Sequence, residues 1–287
     1  MKMKPLLTTG LLAAIFMSVA AHAAAFVENF DEAGTTWANT RFSNIIPSGG
    51  GTFERQSLST ALGAPNTSPA LPVNAGGDLE GRYYEATLAA TSSYAVTANS
   101  FTDATIDGYL GYGVVTSFGA PSMGFVLRES GNSIALVNGY SARIGISGPI
   151  PNYSSSGALT ISRIVNGVVT SANIFATSLA FGMNEATENY HLTFSAIGST
   201  LTASVFRIQA VGGALVETPI DLQSAAGVQS SITATDSALT SGAAGLNAFV
   251  RGSQSIFYDD ISVVPEPASA ALLGLGALLL AARRRRA

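Results

Sequence analysis

Few residues in this 287-residue chain can do chemistry. Cysteine is absent, which removes thiolate nucleophiles, zinc–thiolate sites and disulfides. Of the two histidines, His22 sits in the apolar N-terminal segment. His191 alternates with Tyr190, Leu192 and Phe194, so it belongs on the polar face of a strand, where a histidine is ordinarily a surface group. Gly145-Ile146-Ser147-Gly148-Pro149 fails the G-x-S-x-G elbow at its last position. There is no H-E-x-x-H, P-loop or dinucleotide fingerprint. Glycoside hydrolysis needs only two suitably spaced carboxylates, and Glu80 with Glu85 or Asp103 with Asp107 are close pairs; a solvated pair is the stronger explanation of each. Aromatic residues that could stack on sugar rings are Trp37, Tyr83, Tyr84, Tyr94, Tyr109, Tyr112, Tyr140 and Tyr153, though tyrosines in a sandwich mostly fill core edges.

The elements that must position these groups read as strands. Between Phe26 and Val263 the chain is rich in Thr, Ser, Val, Ile, Tyr and Phe, is punctuated by Gly and Asn, and has no long apolar stripe at helical spacing. Thirteen period-two stretches emerge, among them 27–31, 82–88, 109–117, 124–129, 133–137, 168–175, 189–196, 201–209 and 255–263. Gly131-Asn132, Asn166-Gly167 and Ile197-Gly198-Ser199 are hairpin signals, because they tolerate positive φ. Residues 63–78 read as a surface loop, and 223–241 as a loose region with room for a helical turn. No blade motif repeats at a fixed period, so a two-sheet sandwich is favoured over a propeller.

Parity within two of these strands raises a metal question. Phe26 and Phe30 share their face with Glu28, and Phe257, Ile261 and Val263 share theirs with Asp259. An inward carboxylate is costly unless paired. If the first and last strands are neighbours, Glu28, Asp31, Asp259 and Asp260 could gather hard oxygen donors for a structural Ca²⁺; otherwise they sit at strand ends, bonded to water, arginine or backbone N–H. No cofactor is otherwise required.

Both ends carry address signals. Lys2 and Lys4 form a basic n-region, residues 6–20 an apolar h-region, and Ala21-His22-Ala23 an A-x-A site, so signal peptidase should cut after Ala23. At the far end, Val264-Pro265-Glu266-Pro267 is a rigid polar elbow, followed by an apolar run, 268–282, and by Arg283, Arg284, Arg285 and Arg286. The prolines block helix extension upstream. The run makes roughly 22 Å of helix against a hydrocarbon core of about 30 Å. Snorkelling arginines extend that marginal span and hold the C-terminus on the cytoplasmic side, leaving the body outside.

That order of parts resembles the PEP-CTERM sorting tail of Gram-negative bacteria. The resemblance implies recognition of Pro265, Glu266 and Pro267 by exosortase, a membrane protease-transpeptidase, and cargo destined for the surface or matrix of bacteria that make exopolysaccharide. A second resemblance covers the body: Phe26-Val-Glu-Asn-Phe-Asp31, Tyr190-His-Leu-Thr-Phe with Leu201-Thr-Ala-Ser-Val-Phe, and Gly242-Ala-Ala-Gly-Leu246 with Phe257-Tyr-Asp-Asp-Ile261 are similar to the concanavalin A-like or laminin-G-like jelly roll. Such domains often recognise carbohydrate. The E-x-D-x-x-E strand pattern of jelly-roll glucanases is missing.

The expectation is therefore an all-β, two-sheet antiparallel jelly-roll sandwich, flanked by an N-terminal signal peptide and a C-terminal transmembrane helix. Residues 1–23 would be the signal peptide, 24–263 the sandwich and 264–287 the sorting signal. Its life would run through the export machinery and a transient inner-membrane-anchored precursor to the cell surface or extracellular matrix. There it would act as a non-enzymatic structural or adhesive component binding polysaccharide; the competing reading is a carbohydrate-active enzyme on the same scaffold. Without its ends the body keeps 17 acidic and 8 basic residues and no lysine, a formal charge near −9 that repels nucleic acid.

Overall fold

The computed structural model describes residues 26–28, 30, 37, 40, 42–46, 52–57, 79–85, 91–112, 121–147, 155–183, 188–211, 214–223, 227–250 and 254–266. In chain order the strands are β1 (Phe26–Glu28), β2 (Phe42–Ile46), β3 (Thr52–Ser57), β4 (Leu79–Glu85), β5 (Thr91–Phe101), β6 (Ala104–Tyr112), β7 (Ser122–Ser130), β8 (Asn138–Ser147) and β9 (Ser155–Ile164). There follow β10 (Ile174–Thr177), β11 (Phe181–Met183), β12 (Glu188–Ile197), β13 (Thr200–Val211), β14 (Ala214–Pro219), β15 (Ser231–Thr235), β16 (Gly242–Val250) and β17 (Gln254–Pro265).

They form the two sheets of an antiparallel jelly-roll sandwich. The first runs β14-β13-β12-β6-β17-β4-β3, with β1 also on β17 and β15 also on β13. The second runs β10-β9-β8-β7-β16-β5-β2, with β11 also on β9. Alternation explains the layering: Tyr190, Leu192, Phe194 and Ala196 of β12 are buried, while His191, Thr193 and Ser195 are only half-buried. The inward rows of both sheets, including Ile106, Leu110, Phe125, Phe194, Leu246 and Tyr258, make one continuous core. Two core tyrosines satisfy their hydroxyls across the gap between sheets: Tyr258 donates to Asn247 O at 2.8 Å and Tyr112 to Ile144 O at 3.0 Å.

Turn chemistry places the β12–β13 hairpin where the sequence put it. Ile197 pairs with Thr200, and Gly198 takes φ +56. Asn166 and Gly167 also make their turn, with φ +49 and +76, but of the stretches expected as strands, 168–175 joins a ladder only at its end, from Ile174, and 133–137, after Gly131-Asn132, joins none. Residues 134–136 form a 3₁₀ turn instead, and Val165 and Val168 make an isolated bridge. The reason is tertiary. This chain folds over the outer face of the second sheet, where Ile134, Val137, Ile164 and Val169 pack with Ile46, Tyr94, Val96 and Val126. The loose region expected at 223–241 contains a strand, β15, which finishes the edge of β13.

Two glycines test that account. A Cβ on Gly198 would meet nothing within 4 Å, whereas one on Gly167 would fall 1.9 Å from Ile134 O. Gly198→Ala should cost about 1 kcal/mol, the ordinary left-handed penalty, and Gly167→Ala at least twice as much, both read from urea unfolding midpoints. Equal losses would mean that the 165–168 turn is not seated against residue 134.

Candidate functional site

Ladder register lines up a row of side chains on the outer face of the first sheet. Asp259 of β17 is opposite Tyr109 of β6, Tyr109 is opposite His191 of β12, and His191 is opposite Phe206 of β13. One step along, Asp107 faces Thr193, and Glu217 of β14 lies diagonal to His191 through Ile208. Tyr109 and His191 stack with centroids 4.8 Å apart, and His191 to Phe206 is 6.0 Å. All three rings are half-buried, so each keeps a solvent-facing surface.

The histidine is the electrostatic centre of this row. Its Nε2 lies 2.8 Å from Asp107 Oδ2 and its Nδ1 2.9 Å from Glu217 Oε1. Two carboxylates can be served only if both ring nitrogens carry protons, which makes the ring an imidazolium. Burial opposes that charge, but the hydrogen bonds and charges of Asp107 and Glu217 outweigh it and raise the His191 pKa to about 9. Burial likewise opposes the Asp107 charge, yet hydrogen bonds from His191 and from Thr193 Oγ1, at 2.7 Å, hold it below the usual carboxylate range. Burial raises the Tyr109 hydroxyl pKa, and Glu217, Asp107, Asp260 and Asp259 raise it further. The face thus presents stacked rings, fixed acceptors and a cation already committed to its neighbours.

Of the aromatic candidates read from sequence, Trp37, Tyr94, Tyr112 and Tyr140 are buried, and Tyr109 is the half-exposed one among those whose side chains are described. Trp37 packs against Phe30, Phe42 and Phe53. The side chains of Tyr83, Tyr84, Glu80 and Glu85, and all of Tyr153, lie outside what the structure describes. Asp103 and Asp107 are not a solvated pair: Asp103 binds Arg128 at 3.1 Å and the Gly198 N–H at 2.8 Å, while Asp107 serves His191 and Thr193. The partnership of Asp107, His191 and Glu217 was invisible in the sequence, because it joins three strands. Only the shared parity of Asp107 with Tyr109, and of His191 with Thr193, hinted at it.

The carboxylates considered for calcium are placed differently from expectation. First and last strands do pair, with Glu28 opposite Ile261. However, Asp260 takes φ +48 and bulges β17, so that Asp259 pairs with Tyr109 but Ser262 with Asp107. The extra residue reverses parity. Ile261 and Val263 face the core with Glu28, whereas Phe257 and Asp259 face outward. Glu28, only 3% exposed, accepts the Phe30 N–H at 2.9 Å, and Arg55 donates to the carbonyl of the same Phe30. Asp259 Oδ1 accepts the Asp260 N–H at 2.9 Å. Asp31 lies outside the described residues, among which no three acidic or histidine side chains gather to hold a metal ion.

The sorting elbow begins inside the fold. Strand β17 continues to Pro265, opposite Ala104, so the expected boundary between 263 and 264 falls within a strand. Glu266 donates its N–H to Asp103 O at 3.0 Å and accepts from Thr105 Oγ1 at 2.9 Å. Pro267, the arginines 283–286 and the signal-cleavage residues Ala21 and Ala23 lie outside the described residues. So does the apolar run 268–282; among the described residues no helix is long and apolar enough to cross a membrane.

Comparison with known proteins identifies the tail and leaves the body to its geometry. The PEP-CTERM protein-sorting motif matches residues 263–286. No curated protein matches this chain. Among solved structures it is similar to the carbohydrate-binding module CBM66 from Bacillus subtilis, at 15% identity over 75% of this chain and 95% of that one, with a TM-score of 0.40. It is also similar to a lectin from Bauhinia forficata in complex with GalNAc, at 11% identity over 86% and 99% and a TM-score of 0.41. A third likeness is to the exoplasmic/lumenal domain of VIP36 in a Ca²⁺/Man2-bound form, at 11% identity over 86% and 90% and a TM-score of 0.43.

The raised His191 pKa fixes a pH dependence. With a folded value of about 9 against about 6.5 unfolded, the stabilisation is complete below pH 6.5 and is lost as pH rises through 9. The full shift would carry about 3 kcal/mol, and partial solvation of Asp107 and Glu217 reduces this to about 1–2 kcal/mol. Urea midpoints should fall between pH 6.5 and 9.5, and His191→Asn should flatten the slope in that window.

Proposed function

We propose that this chain is an exported structural or adhesive protein of the bacterial surface or matrix, which holds polysaccharide on the outer face of its first sheet. In this reading residues 1–23 direct export and are removed by signal peptidase. Exosortase then acts at Pro265, Glu266 and Pro267 while the precursor is transiently anchored in the inner membrane by 268–282 and the arginines behind it. The sorting motif at 263–286 supports the address.

The observation that carries the binding half is the Tyr109–His191–Phe206 row, with Asp107, Thr193 and Glu217 beside it. A sugar ring presents an apolar face to stacked aromatics and hydroxyls to fixed carboxylates, and this row offers both. The same geometry favours holding over cutting. Hydrolysis requires one carboxyl kept protonated as general acid, whereas Asp107 is held ionised by His191, and His191, charged at neutral pH, is no general base.

Retention on the host's exopolysaccharide tests the binding reading. Tyr109→Ala and Phe206→Ala should each weaken retention of the full chain at least tenfold, a loss of about 1.4 kcal/mol or more, without new reducing ends in the polymer. Unchanged retention would remove the first sheet from the reading; chain shortening would turn it to an enzyme. For the address, replacing Pro265, Glu266 and Pro267 with alanine should leave an unprocessed, membrane-retained precursor, followed by immunoblot of cell fractions. Maturation at the wild-type rate would reject recognition at that motif.

A further inference from the structure

The outer face of the second sheet holds a different kind of site. Tyr94 of β5 is opposite Asn247 of β16, Asn247 is opposite Gly124 of β7, Gly124 is opposite Arg143 of β8, and Arg143 is opposite Thr160 of β9. In the neighbouring row Ser92, Phe249 and Ser122 stand in register. These rows floor a cleft of about 360 Å³, walled by Val169 and Ile174 of the segment that crosses the sheet. That volume falls within the range of small-ligand sites, about 300–1,000 Å³.

Arg143 is out of keeping with three other described arginines. Arg128 pairs with Asp103, Arg163 with Asp236 and Arg207 with Glu188, at 3.0–3.1 Å. Arg143 is half-buried in the cleft, and among the described residues it has no hydrogen bond or ion pair. A guanidinium withdrawn from water without a counter-charge is unfavourable, and burial accordingly lowers its pKa, with Tyr94 offsetting part of the effect. The same row leaves a second polar atom unmet: Asn247 Oδ1 is buried with no hydrogen-bond partner. In a protein with more than twice as many acidic as basic residues in its body, a cation that no described acid pairs with is a seat for an anion brought from outside.

The geometry points to Arg143 as the seat for the carboxylate of an acidic sugar unit, so that this cleft binds a uronic-acid-bearing polysaccharide. The guanidinium fork matches a carboxylate with two parallel N–H···O bonds. Hydroxyls of Ser92, Ser122 and Thr160 are placed to meet sugar hydroxyls, and the half-buried Phe249 ring offers a face for the pyranose. The inference rests on the carbohydrate-binding reading above and names the ligand class, but it uses the opposite sheet.

Calorimetry on the purified full chain, with trigalacturonate, neutral galactotriose and inorganic phosphate as probes, tests it. Trigalacturonate should bind at least tenfold tighter than galactotriose or phosphate. Arg143→Gln should erase that preference, and Arg143→Lys should keep part of it. The urea midpoint of Arg143→Gln should equal or exceed that of wild type, since an unpaired cation is removed. Undiminished trigalacturonate binding by Arg143→Gln, phosphate binding as tight as trigalacturonate, or failure of the glutamine variant to fold would each overturn the proposal. Equal binding of neutral and acidic probes would sink the acidic seat and spare the general reading, as would retention on exopolysaccharide with no binding of any probe. Loss of both retention and probe binding would sink the two together.

Discussion

Strand β17 is the constraint on which the first sheet depends. It is paired along one edge with β6 and along the other with β4 and then β1, so three strands lose a partner if it is absent. Its last residues are also the first of the sorting motif, and body and address therefore share one backbone. The join is graded. Val263 is in the core, Val264 is exposed, Pro265 has no N–H to give to the ladder, and Glu266 is held by one backbone and one side-chain hydrogen bond. Fraying of strand ends is the least costly local opening in a fold. Here it can free 264–266 while every core residue of β17 stays in place.

The outer faces of the two sheets are finished by different means. On the first, polar side chains bind one another across strands, as Asp107, His191, Thr193 and Glu217 do, and rings remain open between them. On the second, a segment of the chain itself folds over the sheet and buries Val96, Val126 and Val137 in a small second cluster. Some polar atoms under that cover are out of reach of water. Ser162 and Asn247 each have a buried oxygen without a partner, and so does Glu129, whose carboxyl burial raises to about 7. A face meant only to be covered would carry apolar residues at such positions, since unmet buried polar groups cost stability.

What the sequence disclosed followed the reach of its periodicity. The β12–β13 hairpin was legible because apolar alternation and a Gly turn agree over the whole unit; β1 was legible only in part, since the stretch read as 27–31 is a strand at Phe26–Glu28 and Phe30 takes φ +58. Strands β2, β3, β5, β11 and β15 escaped. In β5 and β15 serine and threonine occupy many positions, and these stand equally well in loops, so that pairing with β16 and β13, not composition, makes them strands. Conversely, 168–175 alternates like a strand but mostly serves as cover, a choice set by the apolar patch beneath it. Of the candidate site, the facing of His191 was readable, whereas its partners and the cleft around Arg143 were not, since both are built from residues joined only by sheet register.

The reversed parity of Asp259 shows where period-two reasoning stops. Phe257 and Tyr258 are adjacent and both apolar, so each phase of β17 is plausible from the sequence, and the bulge at Asp260 uses both: Ile256 and Tyr258 face inward before it, Ile261 and Val263 after it. A non-glycine residue at φ +48 is strained. The strain has a use, because β17 changes its edge partner across that point, from β4 at residues 254–258 to β1 at 261–263. A second bulge, at Arg128 with φ +52, interrupts β7. It lets the arginine reach Thr102 O, Leu239 O, Ala196 O and Asp103, tying the second sheet to the turns of the first. In each case one extra residue re-aims a charged side chain at a junction between elements, and alternation on either side of the bulge leaves that residue unmarked.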